Sequence, residues 1–98
     1  MIRFNYLYRD YSNYKNYGSI MLGNPNCIDI MEIDGMIREK LIDGEFFNAT
    51  KVGLPNLFFE ISNSDDHDLH EFLSIELTNE EDCLLTIEEF ILQLSDKK

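Results

Sequence analysis

Both histidines of the chain lie in one acidic stretch, residues 65–72, which has the sequence DDHDLHEF. Imidazole and carboxylate groups are ligands that Zn, Mn and Fe accept in proteins. A metal site in this chain would therefore use His67, His70 and Asp66. A metal-dependent hydrolase built on the two histidines is accordingly one hypothesis for the function.

The spacing of the histidines argues against that hypothesis. Side chains three positions apart on a strand point to opposite faces of a sheet, so His67 and His70 converge only if the backbone curls between them. The stretch matches neither a calcium-binding EF-hand loop nor a zinc-binding HExxH helix. The favoured interpretation is a polar hairpin tip with one histidine packed against Phe72, and no metal or other cofactor is predicted.

Other kinds of catalytic site find little support in the sequence. The chain contains no Gly-x-Ser-x-Gly elbow and no phosphate-binding glycine loop, and neither cysteine has a histidine near it in sequence. Cys27 and Cys83 match no CxxC pattern, and we expect two free, partly buried thiols. The sequence therefore favours a protein without enzymatic activity.

A second set of functional side chains lies near the N-terminus, where basic residues alternate with aromatic ones. Arginine and tyrosine can bind a small anion by charge and an aromatic base by stacking. A nucleotide-like ligand is thus one hypothesis, although ordinary strand and loop surface explains the same residues. The set comprises Arg3, Arg9 and Lys15 with Tyr6, Tyr8, Tyr11, Tyr14 and Tyr17.

The charge is strongly negative and unevenly distributed. The net charge is −11; residues 1–51 hold seven acids and six bases, whereas residues 52–98 hold twelve acids and two bases. Such a chain repels nucleic acid and anionic membranes, whose binding requires cationic contacts, and it is attracted to basic surfaces. Solubility is the alternative explanation for the acids.

Ninety-eight residues are enough for one domain, spanning 1–98, with a single core. The sequence lacks an apolar run of the roughly 18 residues that a transmembrane helix needs. Its N-terminus does not resemble a signal peptide. We therefore expect a cytoplasmic protein, and the sequence does not indicate an oligomeric state.

The first half of the chain predicts two strands and a helix. Residues 2–9 alternate with the period of a strand, residues 10–18 have a loop composition, and residues 18–23 predict a second, antiparallel strand. Residues 29–43 have apolar positions at helical spacing, and Gly44 fits the position that ends such a helix. The apolar stripe consists of Ile30, Ile33, Ile37 and Leu41.

The second half predicts a hairpin and a helix. Residues 57–62 and 69–77 have strand patterns, and the acidic residues 63–68 form the turn between them. Thr86 and Glu89 match a capping box before a helical stripe that runs to about Leu94. The order ββαββα predicts an α+β fold, with an antiparallel sheet of about four strands and both helices on one face.

Six segments of the chain form a pattern: YLYRD and SNYKNYG in residues 6–18, LIDGEFF in 41–47, VGLP in 52–55, DDH in 65–67 and HEF in 70–72. Together they resemble a family of small uncharacterised proteins of bacteria and mobile elements. The resemblance extends from about residue 4 to residue 76, and the family has no established activity. Where its pattern has an aromatic residue before the second histidine, this chain has Leu69.

The resemblance implies that two distant segments form one polar site. One segment supplies Asn13, Tyr14, Lys15 and Asn16, and the other supplies Asp66, His67, His70 and Glu71. With Arg9 and Asp65, these are the candidate binding residues.

Size, charge and resemblance together favour a stoichiometric binding protein of a bacterium or phage. We expect it to inhibit a larger protein with a basic surface, such as a component of a host defence system. If the chain is phage-encoded, the compartment is the host cytoplasm. A nucleotide-binding protein is the first alternative, and a metal-dependent hydrolase is the second.

Overall fold

A computed structural model describes residues 1–9, 13–49, 51–55, 57, 69–79, 82–83 and 85–97, with the side chains of 96 and 97 left aside. The described residues form an α+β fold in the order β1 Ile2–Arg9, β2 Lys15–Gly23, α1 Ile30–Lys40, β3 Phe46–Phe47, β4 His70–Leu77, β5 Leu85–Thr86 and α2 Ile87–Lys97. The predicted fold class is confirmed at this level. None of the helices in the described ranges is long and apolar enough to cross a membrane.

The sheet has the strand order β3-β4-β1-β2-β5 over the described residues. Strand β1 is central and pairs antiparallel with β2 on one side and β4 on the other. The short strand β5 runs parallel to β2. The prediction of four antiparallel strands is therefore wrong in its detail, because β3 and β5 have two residues each and such short segments leave no period in the sequence.

One face of the sheet carries the hydrophobic core and both helices, as predicted. Alternate residues of β1 face this core because successive side chains of a strand point to opposite sides. The core contains fully buried residues of β1 together with residues of both helices. They include Ile2, Phe4 and Tyr6 from β1, Ile33 and Ile37 from α1, and Ile87, Phe90 and Leu94 from α2.

Helix α1 follows its predicted stripe but ends earlier than predicted. Asp29 is its N-cap and accepts a hydrogen bond from the backbone N–H of Met31, while Leu41 is its C-cap. Gly44 is not the residue that ends the helix. Asp43 and Gly44 both have positive φ, 56° and 70°, and the N–H of Glu45 bonds the carbonyl of Ile42. This pairing of positive angles is typical of a type I′ turn, which leads the chain into β3.

A β-bulge in β4 changes which of its residues face the core. Asn5 pairs with Ser74, but Tyr6 pairs with Phe72, so Leu73 is an extra residue opposite β1. The strand pattern predicted for residues 69–77 implies regular alternation, which would put Phe72 and Ile75 on opposite faces. That alternation is wrong, because the bulge puts both side chains beside the core-facing residues Tyr6 and Phe4 of β1.

The capping box before α2 is confirmed. The backbone N–H of Glu89 donates to Oγ1 of Thr86 at 3.2 Å, and the N–H of Thr86 donates to Oε1 of Glu89 at 3.0 Å. Together with the Thr86 hydroxyl, this N–H lowers the pKa of the Glu89 carboxyl below its usual value. The helix itself extends past the predicted end to Lys97.

Three further predictions are either wrong in detail or concern residues outside the described ranges. Cys27 and Cys83 are free thiols but both are exposed rather than partly buried. Strand β2 begins at Lys15, three residues before the predicted start, which shortens the loop after β1. The predicted strand 57–62, except Leu57, and the acidic turn 63–68 fall outside the described residues.

Candidate functional site

The described candidate residues meet where β1 ends and where β2 and β4 begin. Arg9 pairs with Lys15 across β1 and β2, and Tyr8 pairs with Asn16 on one side and His70 on the other. Antiparallel pairing thus places residues 15–16 and residues 70–71 on the two sides of β1, at the same end of the sheet. Of the ten candidate residues, Asp65, Asp66 and His67 lie outside the described ranges.

His70 is fully buried on the core face of the sheet. Its Nε2 accepts a hydrogen bond of 2.9 Å from the backbone N–H of Leu57. A nitrogen that accepts a hydrogen bond carries no proton, so neutral His70 is assigned the tautomer protonated at Nδ1. The imidazole packs among the rings of Tyr6, Tyr8 and Phe47, at centroid distances of 5.2 to 6.0 Å. This burial places the ring within the core rather than at an open surface.

Asn16 bonds the carbonyl of Leu57, the residue whose N–H is bonded to His70. Its Nδ2 donates to the backbone carbonyl of Leu57 at 3.0 Å, while the hydroxyl of Tyr6 donates to the carbonyl of Pro55 at 2.6 Å. Burial raises the pKa of the Tyr6 phenol. We call the three side chains of Tyr6, Asn16 and His70 the Leu57 clamp, because they fix the segment that contains Pro55 and Leu57 across β1, β2 and β4.

Gly18 provides the space that the clamped segment needs. A Cβ atom added at Gly18 would lie 2.8 Å from Cδ2 of Leu57, closer than real side-chain contacts allow. The Leu57 side chain therefore packs directly on the backbone of β2. In this arrangement two of the candidate binding residues, Asn16 and His70, position a neighbouring segment of their own chain.

The opposite face of the sheet carries a separate polar cluster formed by Arg9, Asn13 and Glu71. Nε of Arg9 lies 2.8 Å from Oε2 of Glu71, and Nη2 lies 3.2 Å from Oε1, so the guanidinium and carboxylate meet in a two-bond fork. The remaining Nη1 donates to Oδ1 of Asn13 at 2.7 Å. Asn13 has a φ of 69°, a conformation that asparagine tolerates better than most residues. The cluster joins the end of β1 and the start of β4 to Asn13, two residues before β2 begins.

Tyr14, Lys15 and Tyr17 are the exposed members of this end of the sheet, and the side chains of Tyr14 and Tyr17 are 70% and 61% exposed. Lys15 pairs with Arg9 across β1 and β2. The Arg9 guanidinium already donates three of its five N–H groups to Glu71 and Asn13. An anionic ligand at Arg9 would have the two remaining N–H groups, unless it displaced Glu71 or Asn13.

The described residues do not form a metal-binding arrangement. Nε2 of His70 is occupied by the N–H of Leu57. Among the described residues, no group of three or more His, Cys, Asp or Glu side chains is arranged to hold a metal ion. The partners proposed for His70, namely Asp66 and His67, lie outside those residues.

A shallow cleft of about 350 Å³ lies at the other end of β1. None of the described candidate residues lines it, and its described walls are mainly apolar. The lining residues are Met1, Ile2, Asn24, Cys27, Ile28, Asp29, Ile30 and Leu77.

Sequence reasoning missed the residues that the clamp holds. Pro55 contributes only its carbonyl, and Leu57 contributes its peptide N–H and carbonyl, so no side-chain type marks their role. The clamp holds backbone atoms of an apolar segment, and the acidic turn 63–68, at which polar contacts were predicted, lies outside the described residues.

No protein-family model, curated protein or solved structure matches the chain.

Proposed function

We propose that the chain is a small acidic binding protein that associates stoichiometrically with a basic surface of a larger protein. The observation that carries the proposal is that all three arginines of the chain are held in ion pairs with its own carboxylates. Arg3 lies 3.2 Å from Glu76, Arg9 lies 2.8 Å from Glu71, and Arg38 lies 3.0 Å from Asp34.

These pairs leave the excess negative charge on the remaining acids. Eleven more acids than bases are present, and each arginine pair removes one of either sign, so the excess persists elsewhere. Acids in the exposed class are distributed over both helices and the turns. They include Glu32, Glu39, Asp43, Glu45, Asp82 and Glu89. A basic protein surface is the complement that such a distribution favours.

The mechanism that we propose is competition with phosphates. Proteins that bind nucleic acid present clusters of Lys and Arg that neutralise phosphate groups. Carboxylates of the acidic half, residues 60–89, occupy such a cluster and exclude the nucleic acid. Together with the size of the chain and the resemblance to proteins of mobile elements, this favours an inhibitor of a bacterial nuclease or sensor, encoded by a bacterium or phage and acting in the bacterial cytoplasm.

A competition experiment tests the proposal. Basic bacterial nucleases bound to fluorescent DNA are titrated with the protein, and the anisotropy of the DNA reports its displacement. We expect saturation at one protein per nuclease and an affinity that falls steeply with added salt, because the contacts are electrostatic. Polyglutamate at equal total charge serves as the control. Displacement no stronger than that of polyglutamate, or an affinity that does not change with salt, would contradict the proposal.

Exposed aromatic rings beside Lys15 favour a second candidate, namely sequestration of a nucleotide signal. Tyr14 and Tyr17 offer stacking surfaces, and Lys15 on β2 offers a cation. Thermal unfolding with and without cyclic and linear nucleotides tests this candidate. A rise in melting temperature that is lost in Lys15→Gln supports it, and identical melting curves with every nucleotide reject it.

A further inference from the structure

Gly35 occupies the middle of helix α1 although the fold does not require glycine there. Its φ is not positive, unlike those of Gly44 and Gly53. Beyond its two chain neighbours and the backbone of its own helix, a Cβ added at Gly35 would have no atom of the described residues within 4 Å. Glycine inside a helix lowers stability relative to alanine because it leaves more backbone freedom in the unfolded chain. Neither backbone conformation nor internal packing compensates for that loss.

The residues around Gly35 form one exposed face of α1. Residues three and four positions away on a helix are its surface neighbours. Here they are Met31, Glu32, Arg38 and Glu39, all of which are exposed, and Met31 has 81% of its surface accessible. We call these four residues and Gly35 the Gly35 face. A large apolar side chain thus lies beside a position that has no side chain.

The charge of the Gly35 face is negative, because its one cation is occupied. Nε of Arg38 bonds Asp34 at 3.0 Å, Nη1 bonds the carbonyl of Gly44 at 3.3 Å, and the guanidinium lies over the ring of Phe72 at 4.7 Å. The carboxylates of Glu32 and Glu39 remain, and neither forms an ion pair with a base among the described residues. They are seven positions apart, which corresponds to roughly 10 Å along the helix axis.

We propose that the Gly35 face is the docking surface for a basic amphipathic helix of the partner protein, with the closest approach at Gly35. The proposal rests on the proposed function and adds the Gly35 face of α1 to the carboxylates of residues 60–89 as a second part of the interface. A residue without a side chain allows a second helix to approach more closely than the usual interaxial distance. Met31 supplies an apolar contact beside that point, and Glu32 and Glu39 pair with lysines or arginines seven positions apart on the partner.

The negative charge of the Gly35 face favours a basic partner helix over a second copy of this chain. Two copies packed through this face would bring the carboxylates of Glu32 and Glu39 against one another or against an Arg38 that is already paired. Like charges placed opposite one another in an interface oppose association. A helix with cationic flanks and a small apolar centre meets both the charge and the shape of this face.

The test exploits the opposite effects of one methyl group on folding and binding. Gly35→Ala should raise the melting temperature because alanine favours the helix. The same methyl group should weaken binding about tenfold, because it occupies the space over which the partner backbone lies. The probe is a synthetic helical peptide with an alanine- and leucine-lined face and lysines seven positions apart, and its affinity is measured by fluorescence anisotropy.

Matched variants separate a local effect from a general one. Ser95→Ala changes an exposed position on α2 and should leave the affinity unchanged. Glu32→Gln combined with Glu39→Gln should reduce the salt dependence of binding. Asp43→Asn combined with Asp82→Asn removes the same charge from acids that are not on the Gly35 face, and should reduce it less.

The outcomes distinguish this inference from the proposed function. Peptide binding that Gly35→Ala leaves unchanged overturns the inference, even if salt-sensitive competition with DNA shows that the protein binds basic surfaces. Equal effects of the two charge pairs overturn it as well. If neither the peptide nor the nucleases bind, both proposals are rejected. A more stable Gly35→Ala variant with weakened binding supports the inference, because loss of folding cannot explain it.

Discussion

The backbone N–H of Leu57 donates a hydrogen bond to Nε2 of the fully buried His70 across 2.9 Å. Replacing His70 with leucine removes the acceptor and leaves a partly buried N–H without its bond, which we expect to cost about 2–4 kcal/mol of unfolding free energy. His70→Gln keeps an acceptor near the same place and should cost less. Urea denaturation measures both changes, and hydrogen exchange at the Leu57 amide reports the bond directly.

Met31→Ala is the control for that experiment, because Met31 is 81% exposed on α1 and its replacement should change the unfolding free energy by no more than about 0.5 kcal/mol. Leu57 exchange that is equally slow in wild type and His70→Leu would show that another contact protects this amide.

The fork between Arg9 and Glu71 predicts a measurable coupling between the two residues. Their side chains are 38% and 11% exposed, so the pair is more sheltered than an ordinary surface ion pair. We expect a double-mutant cycle with Arg9→Gln and Glu71→Gln to give a coupling of about 1 kcal/mol. The Arg3–Glu76 pair, exposed at 35% and 53%, is the matched comparison and should couple less strongly. Additive effects of Arg9→Gln and Glu71→Gln would contradict the prediction.

The capping box of α2 predicts a stability term that depends on pH. Thr86→Ala should cost about 1 kcal/mol because it removes the acceptor for the N–H of Glu89. The pKa of Glu89 is lower in the folded protein than in the unfolded chain. Its contribution is therefore complete above the unfolded pKa and is lost as the pH falls through the folded pKa.

Glu89→Gln tests the sign of that term. Near neutral pH the wild type should be more stable than Glu89→Gln, and the difference should shrink as the solution is acidified below the usual carboxyl pKa. Thermal denaturation over this pH range measures the difference. A gap that stays constant or widens in acid would show that the Glu89 carboxylate does not bond Thr86 in solution.

Gly44 and Gly35 should respond in opposite directions to alanine. Gly44 has a φ of 70°, where a Cβ is strained, so Gly44→Ala should lower the unfolding free energy by about 1 kcal/mol. Gly35 lies in open helical backbone, and Gly35→Ala should raise it by a similar amount, about 1 kcal/mol. Chemical denaturation of the two single variants measures both effects. Changes of the same sign would contradict this assignment of the two conformations.

The sequence was sufficient to predict the elements that carry a strong local period. Residues 2–9 alternate and form β1, and the stripe that includes Ile33 and Ile37 forms the buried side of α1. The capping box of Thr86 and Glu89 was predicted because its contacts span only three residues. In each case the pattern that produces the element involves residues only a few positions apart in the sequence.

Features that depend on distant pairing were not predicted. The bulge at Leu73 shifts the faces of β4 relative to β1, yet the sequence of β4 alone contains no sign of the extra residue. Strand β5 joins the sheet only because β2 is in place beside it. Gly44 was assigned to the helix end because its positive φ is common to helix ends and tight turns.

That the candidate residues form one binding site stays a prediction, and only their placement is observed. The pairing of β1 with β2 and β4 puts Lys15, Asn16, His70 and Glu71 at one end of the sheet. The division of these residues between two faces was not predicted. Asn16 and His70 lie on the core side, whereas Arg9, Asn13 and Glu71 lie on the other.

The Leu57 clamp also sets an order of assembly. Leu57 is bonded by Asn16, 41 positions before it, and by His70, 13 positions after it. Asn16 and His70 are the residues paired with Tyr8 on its two sides. The two bonds can exist together only when β2 and β4 have both joined β1. Because closing contacts between distant residues costs chain entropy, we expect the segment at Leu57 to close after the three strands have paired. The presence of both hydrogen bonds would then indicate that the three central strands are paired.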